Sequence, residues 1–442
     1  MILAFALFIG MIVIVGRYFR DSEEWYLHHS NSAVYTNGRL NSGKVYDRTG
    51  NLLVDASDGR TYPEDEVLRR STLHLLGDVE GNVPDYMMDY YSNELTTYDL
   101  FNGAQSGQGV TMELTVNAQV QKIAYEALAG RPGTIGVYNY QTGEILCMVS
   151  TPTFDPTTPE EVDGSDTYAG AYVNRFFHGS YTPGSIFKLV TGAAAIGEIP
   201  DLETRVFHCS GEWITDGIEV TCSGIHNDIN FDTALTKSCN VVFAQLAVEL
   251  GAETLRKYAE QVGVTGSVEF DGFKTAKGAV DLDRVTTNDL AWAGVGQHND
   301  QINPCQYMTY MGAIANGGVS AKPYLVSRIR CGQEETYRAA PTMNAPMLEA
   351  SVADRLANAM HLAVMNNYGA SNFAGLYAGA KSGTAERGPD LPTNALFAGF
   401  LQDPQYPLAY VVVVEGGGSG SQTCIPIVNQ VLNACVAALD ME

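Results

Sequence analysis

The chain opens on an unbroken apolar run, Met1 to Gly16, that ends at Arg17. As a helix this run reaches about 24 Å, short of a hydrocarbon core of roughly 30 Å. Extension through Tyr18 and Phe19, with Arg17 and Arg20 snorkelling, makes up the difference. A single membrane anchor is therefore predicted over residues 1–20. A cleaved signal peptide and a buried core helix are the alternatives. No small-x-small cleavage pattern follows the run and no basic segment precedes it. From 21 to about 112 the pattern turns polar, rich in Asp, Tyr and Gly, with short turn-bounded runs such as GKVYDRTGNLLVDA. This stretch is read as a small extended module. From 113 the texture changes. TIGVYNYQTGEILCMVS alternates as two strands joined at Gln141-Thr142-Gly143, and ALFAGFLQ and LAYVVVVEG read as late strands. Ile425, Val428, Val431, Leu432, Cys435 and Leu439 keep helical spacing to the end of the chain. Strands at both ends of a helix-rich middle predict an α/β domain over 113–442, an antiparallel sheet covered by helices. GGGSGSQ at 416–422 lacks the Lys-Ser/Thr of a phosphate loop and reads as a strand-to-helix turn.

Composition narrows the function more than the fold. With 26 Lys plus Arg against 50 Asp plus Glu, the formal charge of −24 repels nucleic acid and anionic lipid headgroups, so a polyanionic ligand is not expected. Arg17 and Arg20 follow the apolar run, so the positive-inside rule taken alone puts the bulk of the chain in the cytoplasm. Eight cysteines are present and none forms a CxxC pair. Cys209 and Cys222 bracket a polar segment that can double back as a hairpin. A disulfide, free thiols, or zinc with His208 or His226 all remain open for them. Cys424 and Cys435 lie on one helix face but about 16 Å apart, too far to bridge.

The chemistry begins at YTPGSIFKLVTG, residues 181–192. A serine hydroxyl is a weak nucleophile at neutral pH and needs a base within hydrogen-bond reach. Lysine serves if desolvation or a nearby cation lowers its pKa. Ser185 and Lys188 are three apart, so on a helix they share a face. TKSCN places Ser238 and Asn240 two apart, so in an extended segment both point one way while Cys239 points back. GAKSGTAE places Lys381, Ser382, Gly383 and Thr384 in an edge-strand pattern whose Gly admits another backbone.

Ser185-Ile186-Phe187-Lys188, Ser238-Cys239-Asn240 and Lys381-Ser382-Gly383-Thr384 resemble, in order and spacing, the three motifs of penicillin-binding proteins and serine β-lactamases. VSTPTFDP, GVGQHNDQINP, AIANGG and NALFAGF extend the likeness over most of 113–442. GKVYDRTGNLL, with Arg60, Tyr62, Pro63, His74 and Gly77, resembles the class B branch in its short form without appended C-terminal modules. Ser42 stands where that branch usually has Arg. The roughly 90 residues between anchor and main domain fall below the size of the glycosyltransferase domain that class A relatives insert.

The resemblance implies a penicillin-binding-protein transpeptidase domain with a helical subdomain, behind an N-terminal pedestal module. It implies a peptidoglycan D,D-transpeptidase, a target of β-lactams, working on stem peptides outside the membrane, which overrules the charge bias of the anchor. Ser185 is then the nucleophile, Lys188 its base and Ser238 a proton relay. Asn240, Lys381, Ser382, Gly383 and Thr384 bind substrate, with the backbone N–H groups of Ser185 and Thr384 as oxyanion hole. No metal or organic cofactor is implied, and a polytopic glycosyltransferase is the implied membrane partner. Rival readings are a D,D-carboxypeptidase, a class D β-lactamase, and a non-catalytic cell-wall scaffold or β-lactam sensor. Asp228, Asp232 and Glu386 are the carboxylates near the motifs that could activate water for deacylation.

Overall fold

The computed structural model describes residues 2–26, 28, 34–36, 39–57, 59–96, 98–99, 103–104, 109–162, 166–215, 217–388 and 390–441. At its centre is a five-stranded antiparallel sheet in the order Ala378–Ala385, Asn394–Gln402, Pro407–Val414, Gly133–Asn139, Ile145–Thr151. The QTG segment joins the last two as the alternation predicts. Its central strands are apolar on both faces, as a sheet sandwiched between helices requires. Ala409, Val411 and Val413 face one core, and Leu408, Tyr410, Val412 and Val414 face the other. The helices Ala118–Leu128 and Gly420–Leu439 cover this second face. The helix Pro304–Ala315, buried along its whole length, covers the first. Beyond it lies a helical subdomain that includes Lys188–Glu198, Phe231–Thr236, Asn240–Gln261, Thr287–Val295 and Ala350–Ala363. The lysine strand Ala378–Ala385 is an edge of the sheet, next to the turn that carries Ser185.

A second five-stranded sheet takes strands from distant parts of the chain, in the order Glu334–Arg338, Val326–Cys331, Val110–Leu114, Lys44–Tyr46, Leu52–Asp55. Only the Lys44–Tyr46 and Val110–Leu114 pair is parallel among its ladders. The sheet thus runs across residue 112 and draws in residues 326–338. Asp47 ties it to the main domain by accepting from Thr49 N, Asn51 N and, at 2.9 Å, Ala118 N at the start of the next helix. Ser42 is fully buried and donates to the Leu95 carbonyl.

Beside this sheet the Arg60 guanidinium pairs with Asp85 at 2.5 Å and donates to Leu76 O. Both side chains are about 95% removed from solvent. Tyr62 donates to Gly77 O at 2.8 Å, and His74 Nε2 meets Ala171 O at 2.8 Å. Gly77 has a positive φ of 71°, and a Cβ there would collide with Arg39. Breaking a buried ion pair from one side leaves an uncompensated charge. Arg60→Ala should therefore cost about 3–5 kcal/mol in urea unfolding of the purified chain; a midpoint that does not move would show that the pair carries no stability.

Two helices compete for a membrane by apolarity. Among the described residues, Gly420–Leu439 alone meets both the length and the composition of a span. Its Cys424, Ile427, Val428, Val431, Leu432 and Cys435 are buried against the sheet, which makes it a core helix. The N-terminal helix runs Ile2–Tyr26, about 37 Å long, with its apolar stretch confined to Ala4–Tyr18. There Phe5, Leu7, Phe8, Met11 and Ile14 are each more than 60% exposed.

Candidate active site

The nucleophile turn is built by two close backbone approaches. Gly184 has φ +54°, and a Cβ on it would lie 2.5 Å from the Thr384 carbonyl oxygen. Its N–H donates to Gly296 O at 2.9 Å, and a Cβ on Gly296 would sit 2.2 Å from Gly184 O. The turn is thereby clamped between the lysine strand and the end of the helix Thr287–Val295. Ile186 and Phe187 are fully buried and anchor the short 3-10 turn Gly184–Phe187, which leads into the helix Lys188–Glu198. Ser185 is left half-buried at the mouth of a cavity of about 470 Å³. Ser238, Asn240, Ser382 and Thr384 line the same cavity.

Lys188 is fully buried, and its Nζ lies 3.0 Å from Ser185 Oγ. Its other neighbours are Asn240 Oδ1 at 2.6 Å, Ser238 O at 2.7 Å and Ser238 Oγ at 3.2 Å. A neutral amine has two N–H donors and one lone pair. The two carbonyl oxygens can only accept, so they take both donors and leave the lone pair toward the serine hydroxyls. Asn240 is held in the orientation this needs, because its Nδ2 donates to Thr221 O at 2.8 Å. Burial pushes the Lys188 ammonium down to about 7, offset in part by negative charge at the Cys222 and Cys239 sulfurs.

The segment around Ser238 is not extended, contrary to the spacing argument. Ser238 sits at φ +57°, Cys239 is extended, and Asn240 already opens a helix. The left-handed residue costs backbone strain of a kind concentrated at functional sites. It turns both the carbonyl and the hydroxyl of Ser238 toward Lys188. Lys381, 1% exposed, reaches the same hydroxyl from the other side at 2.9 Å and also donates to Ser382 O. Burial, and then the charge of Lys188, push its pKa well below the ordinary amine value. Gly383 admits the nucleophile turn, since a Cβ there would be 2.7 Å from Pro183 O.

Ser382 and Thr384 alternate with Lys381 along the strand. Ser382 Oγ is 2.9 Å from Tyr368 Oη, which also accepts from Ser382 N. Thr384 Oγ1 accepts from Gly420 N, and Thr384 O accepts from Gln297 Nε2 at 2.8 Å. No local sequence pattern marks Tyr368. Gly296 and Gln297, within the GVGQ flank, brace the turn and the strand. Of the three carboxylates considered for deacylation, Asp228 pairs with His208 and Asp232 with Arg355. Glu386 lines the cavity at its exposed rim.

A family model described as the penicillin-binding protein transpeptidase domain matches residues 133–433. The chain is similar to peptidoglycan D,D-transpeptidase PbpA of Mycolicibacterium smegmatis, 26% identical over 72% of this chain and 70% of that one. It is 29% identical to stage V sporulation protein D of Bacillus subtilis, over 86% of this chain and 60% of that one. The fold superposes on penicillin-binding protein A from M. tuberculosis, solved as a penicillin G acyl-enzyme complex, with a TM-score of 0.77. That likeness covers 90% of this chain and 99% of that one at 23% identity. A serine, two buried lysines and a second hydroxyl meet at one cavity mouth in the order of the three motifs, and the matched region holds all of them. The chain belongs to the penicillin-binding protein transpeptidase domain family, in its class B branch.

Proposed function

We propose that this chain is a serine D,D-transpeptidase that cross-links the stem peptides of peptidoglycan and is acylated by β-lactams. The observation that carries the reading is the buried Lys188 Nζ 3.0 Å from Ser185 Oγ, with two carbonyl oxygens at 2.6 and 2.7 Å that can take both N–H groups of its neutral form. Lys188 takes the serine proton as Oγ attacks the carbonyl of the penultimate D-Ala. The developing oxyanion is stabilised by the N–H groups of Ser185 and Thr384, at about 3 kcal/mol per donor. When the C–N bond breaks, the Ser238 hydroxyl, 3.2 Å from Lys188 and 2.9 Å from Lys381, relays the proton to the leaving amine. Terminal D-Ala departs and the ester on Ser185 waits for an acceptor amine. Asn240 orients the substrate amide, and Ser382 and Thr384 bind its carboxylate on the side opposite Lys381.

The N-terminal helix serves in this reading as the membrane anchor, since its exposed apolar side chains are costly to leave in water. The catalytic domain lies on the outer face, where peptidoglycan is, behind a pedestal over 21–112. A polytopic glycosyltransferase is the partner that would supply glycan strands. Removal of residues 1–20 should release a chain that stays in solution without detergent and still binds penicillin; sedimentation of the shortened chain with membranes would count against the anchor.

Labelling with a fluorescent penicillin followed by peptide mapping tests the site. The adduct is expected on Ser185, and an adduct elsewhere, or none, overturns the reading. A pentapeptide donor offered with an amine acceptor separates transpeptidation from hydrolysis: cross-linked product supports the proposal, and free tetrapeptide alone supports a D,D-carboxypeptidase.

A further inference from the structure

Behind the Ser238 loop lies a second cluster of reactive side chains. Phe207–Cys209 pairs with Asn227–Ile229, and Glu212–Thr215 pairs with Ile218–Thr221. This double hairpin brings Cys209, Cys222 and His226 to one point, and Cys239, from the loop itself, completes it. One ligand atom from each lies within 4.8 Å of all the others. His226 Nδ1 is 3.5 Å from Cys209 Sγ and 3.6 Å from Cys222 Sγ, and Cys222 Sγ is 3.9 Å from Cys239 Sγ.

Those three separations match three of the six edges of a metal tetrahedron, and the other three are within 4.8 Å. With Zn–S of about 2.3 Å and Zn–N of about 2.0–2.1 Å, tetrahedral angles require S···S edges of about 3.8 Å and S···N edges of about 3.6 Å. A further contact fits a thiolate: the Asn240 backbone N–H donates to Cys222 Sγ at 3.3 Å. Cys209 and Cys239 are buried, and all three thiols are free. A disulfide would use two of the sulfurs and leave the third, with the imidazole, unexplained. His208, the other histidine considered for this site, pairs with Asp228 instead and is exposed.

We propose that Cys209, Cys222, His226 and Cys239 bind one Zn²⁺ that fixes the Ser238–Asn240 loop against Lys188. Soft thiolates and imidazole in a tetrahedron select zinc over hard cations. Binding releases three thiol protons to solvent and leaves a site of net charge −1. Four protein ligands close the coordination sphere, so the ion holds structure and the bond chemistry stays with Ser185. Cys239 lies between Ser238 and Asn240, so its bond to the ion pins the backbone that presents three of the four oxygens around Lys188 Nζ. Only the effect on acylation rests on the transpeptidase reading; the metal site does not.

The test uses the full chain purified in detergent without chelator. Elemental mass spectrometry should find about one zinc per chain. Cys209→Ser and His226→Ala should lower that content, whereas Cys331→Ser, a half-buried thiol outside the cluster, should keep it. Exchange into Co²⁺ should give the visible bands of a tetrahedral ion and near-ultraviolet thiolate charge transfer, a readout that needs no variant. Stripping the metal should slow penicillin acylation about 100-fold, the effect of displacing a catalytic group by about 1 Å, and added Zn²⁺ should restore it. Lys188→Ala should lose acylation and keep its zinc, so failure of the activity reading leaves the metal count untouched. Trace zinc with no tetrahedral Co²⁺ spectrum, or a disulfide mapped between any two of the three cysteines, overturns the site. Full occupancy with acylation indifferent to stripping overturns the loop-fixing role.

Discussion

Alanine in place of Lys188 is expected to slow acylation by penicillin by about 10²–10⁴-fold, the range lost when a positioned general base is removed. Ser238 O and Asn240 Oδ1 consume the two N–H groups of the neutral amine, so its lone pair is the acceptor nearest Ser185 Oγ. Burial holds the Lys188 pKa down to about 7. The base form therefore dominates above that pH, and the ammonium form, which has no lone pair, dominates below it. In the wild-type chain the acylation rate should rise as pH passes upward through about 7 and then level. The alanine variant should lose that step along with the rate. Lys381 shares the Ser238 hydroxyl and is coupled to Lys188 by charge, so the midpoint of the Lys188 step is set jointly by both lysines. Rates from gel fluorescence across a pH series decide the matter. A variant within tenfold of wild type, or a wild-type rate flat from pH 5 to 9, would remove Lys188 from the role of base.

Gly184→Ala should be nearly as damaging although it touches no reacting atom. Its φ of +54° costs an alanine about 1–2 kcal/mol, and the new Cβ would lie 2.5 Å from the Thr384 carbonyl oxygen. The nucleophile turn and the lysine strand must then separate. Misplacement of about 1 Å is enough to cost about 10²-fold in rate. Gly130→Ala provides the comparison. Gly130 has φ +75° with no atom within 4 Å of the added Cβ, so it carries the backbone strain without the collision. Acylation should fall about 100-fold in the first variant and stay near wild type in the second. Equal effects in both would mean that strain alone, and not the spacing of turn and strand, sets the rate.

Much of the main sheet was legible because its strands are sequence neighbours with clean turns: Gly133–Asn139 with Ile145–Thr151, and Asn394–Gln402 with Pro407–Val414. The Ser185–Lys188 contact follows directly from helical spacing. In the Ser238 loop Ser238 and Asn240 do face Lys188 while Cys239 turns back to Cys222, but not through an extended backbone: a serine at φ +57° breaks that assumption without changing the residue pattern. Tyr368 reaches Ser382 from a separate helical turn, so nothing in its own neighbours announces it. The pairing of Val326–Cys331 is illegible in sequence for a related reason. Its partner strand, Val110–Leu114, lies more than 200 residues earlier, and a short half-polar run carries no mark of where it pairs.

That pairing also orders events in time. Val110 emerges from synthesis long before Arg338, and at about 5–20 residues per second the interval is on the order of ten seconds or more. Through that interval Val110–Leu114 has Lys44–Tyr46 on one side and an open edge on the other, because the strands that complete the sheet do not yet exist. Unpaired edges recruit wrong partners, and contacts this far apart in sequence are slow to form. Half-made chains are therefore the vulnerable species, and circular permutants that bring residues 326–338 next to 110–114 should refold faster than the natural order.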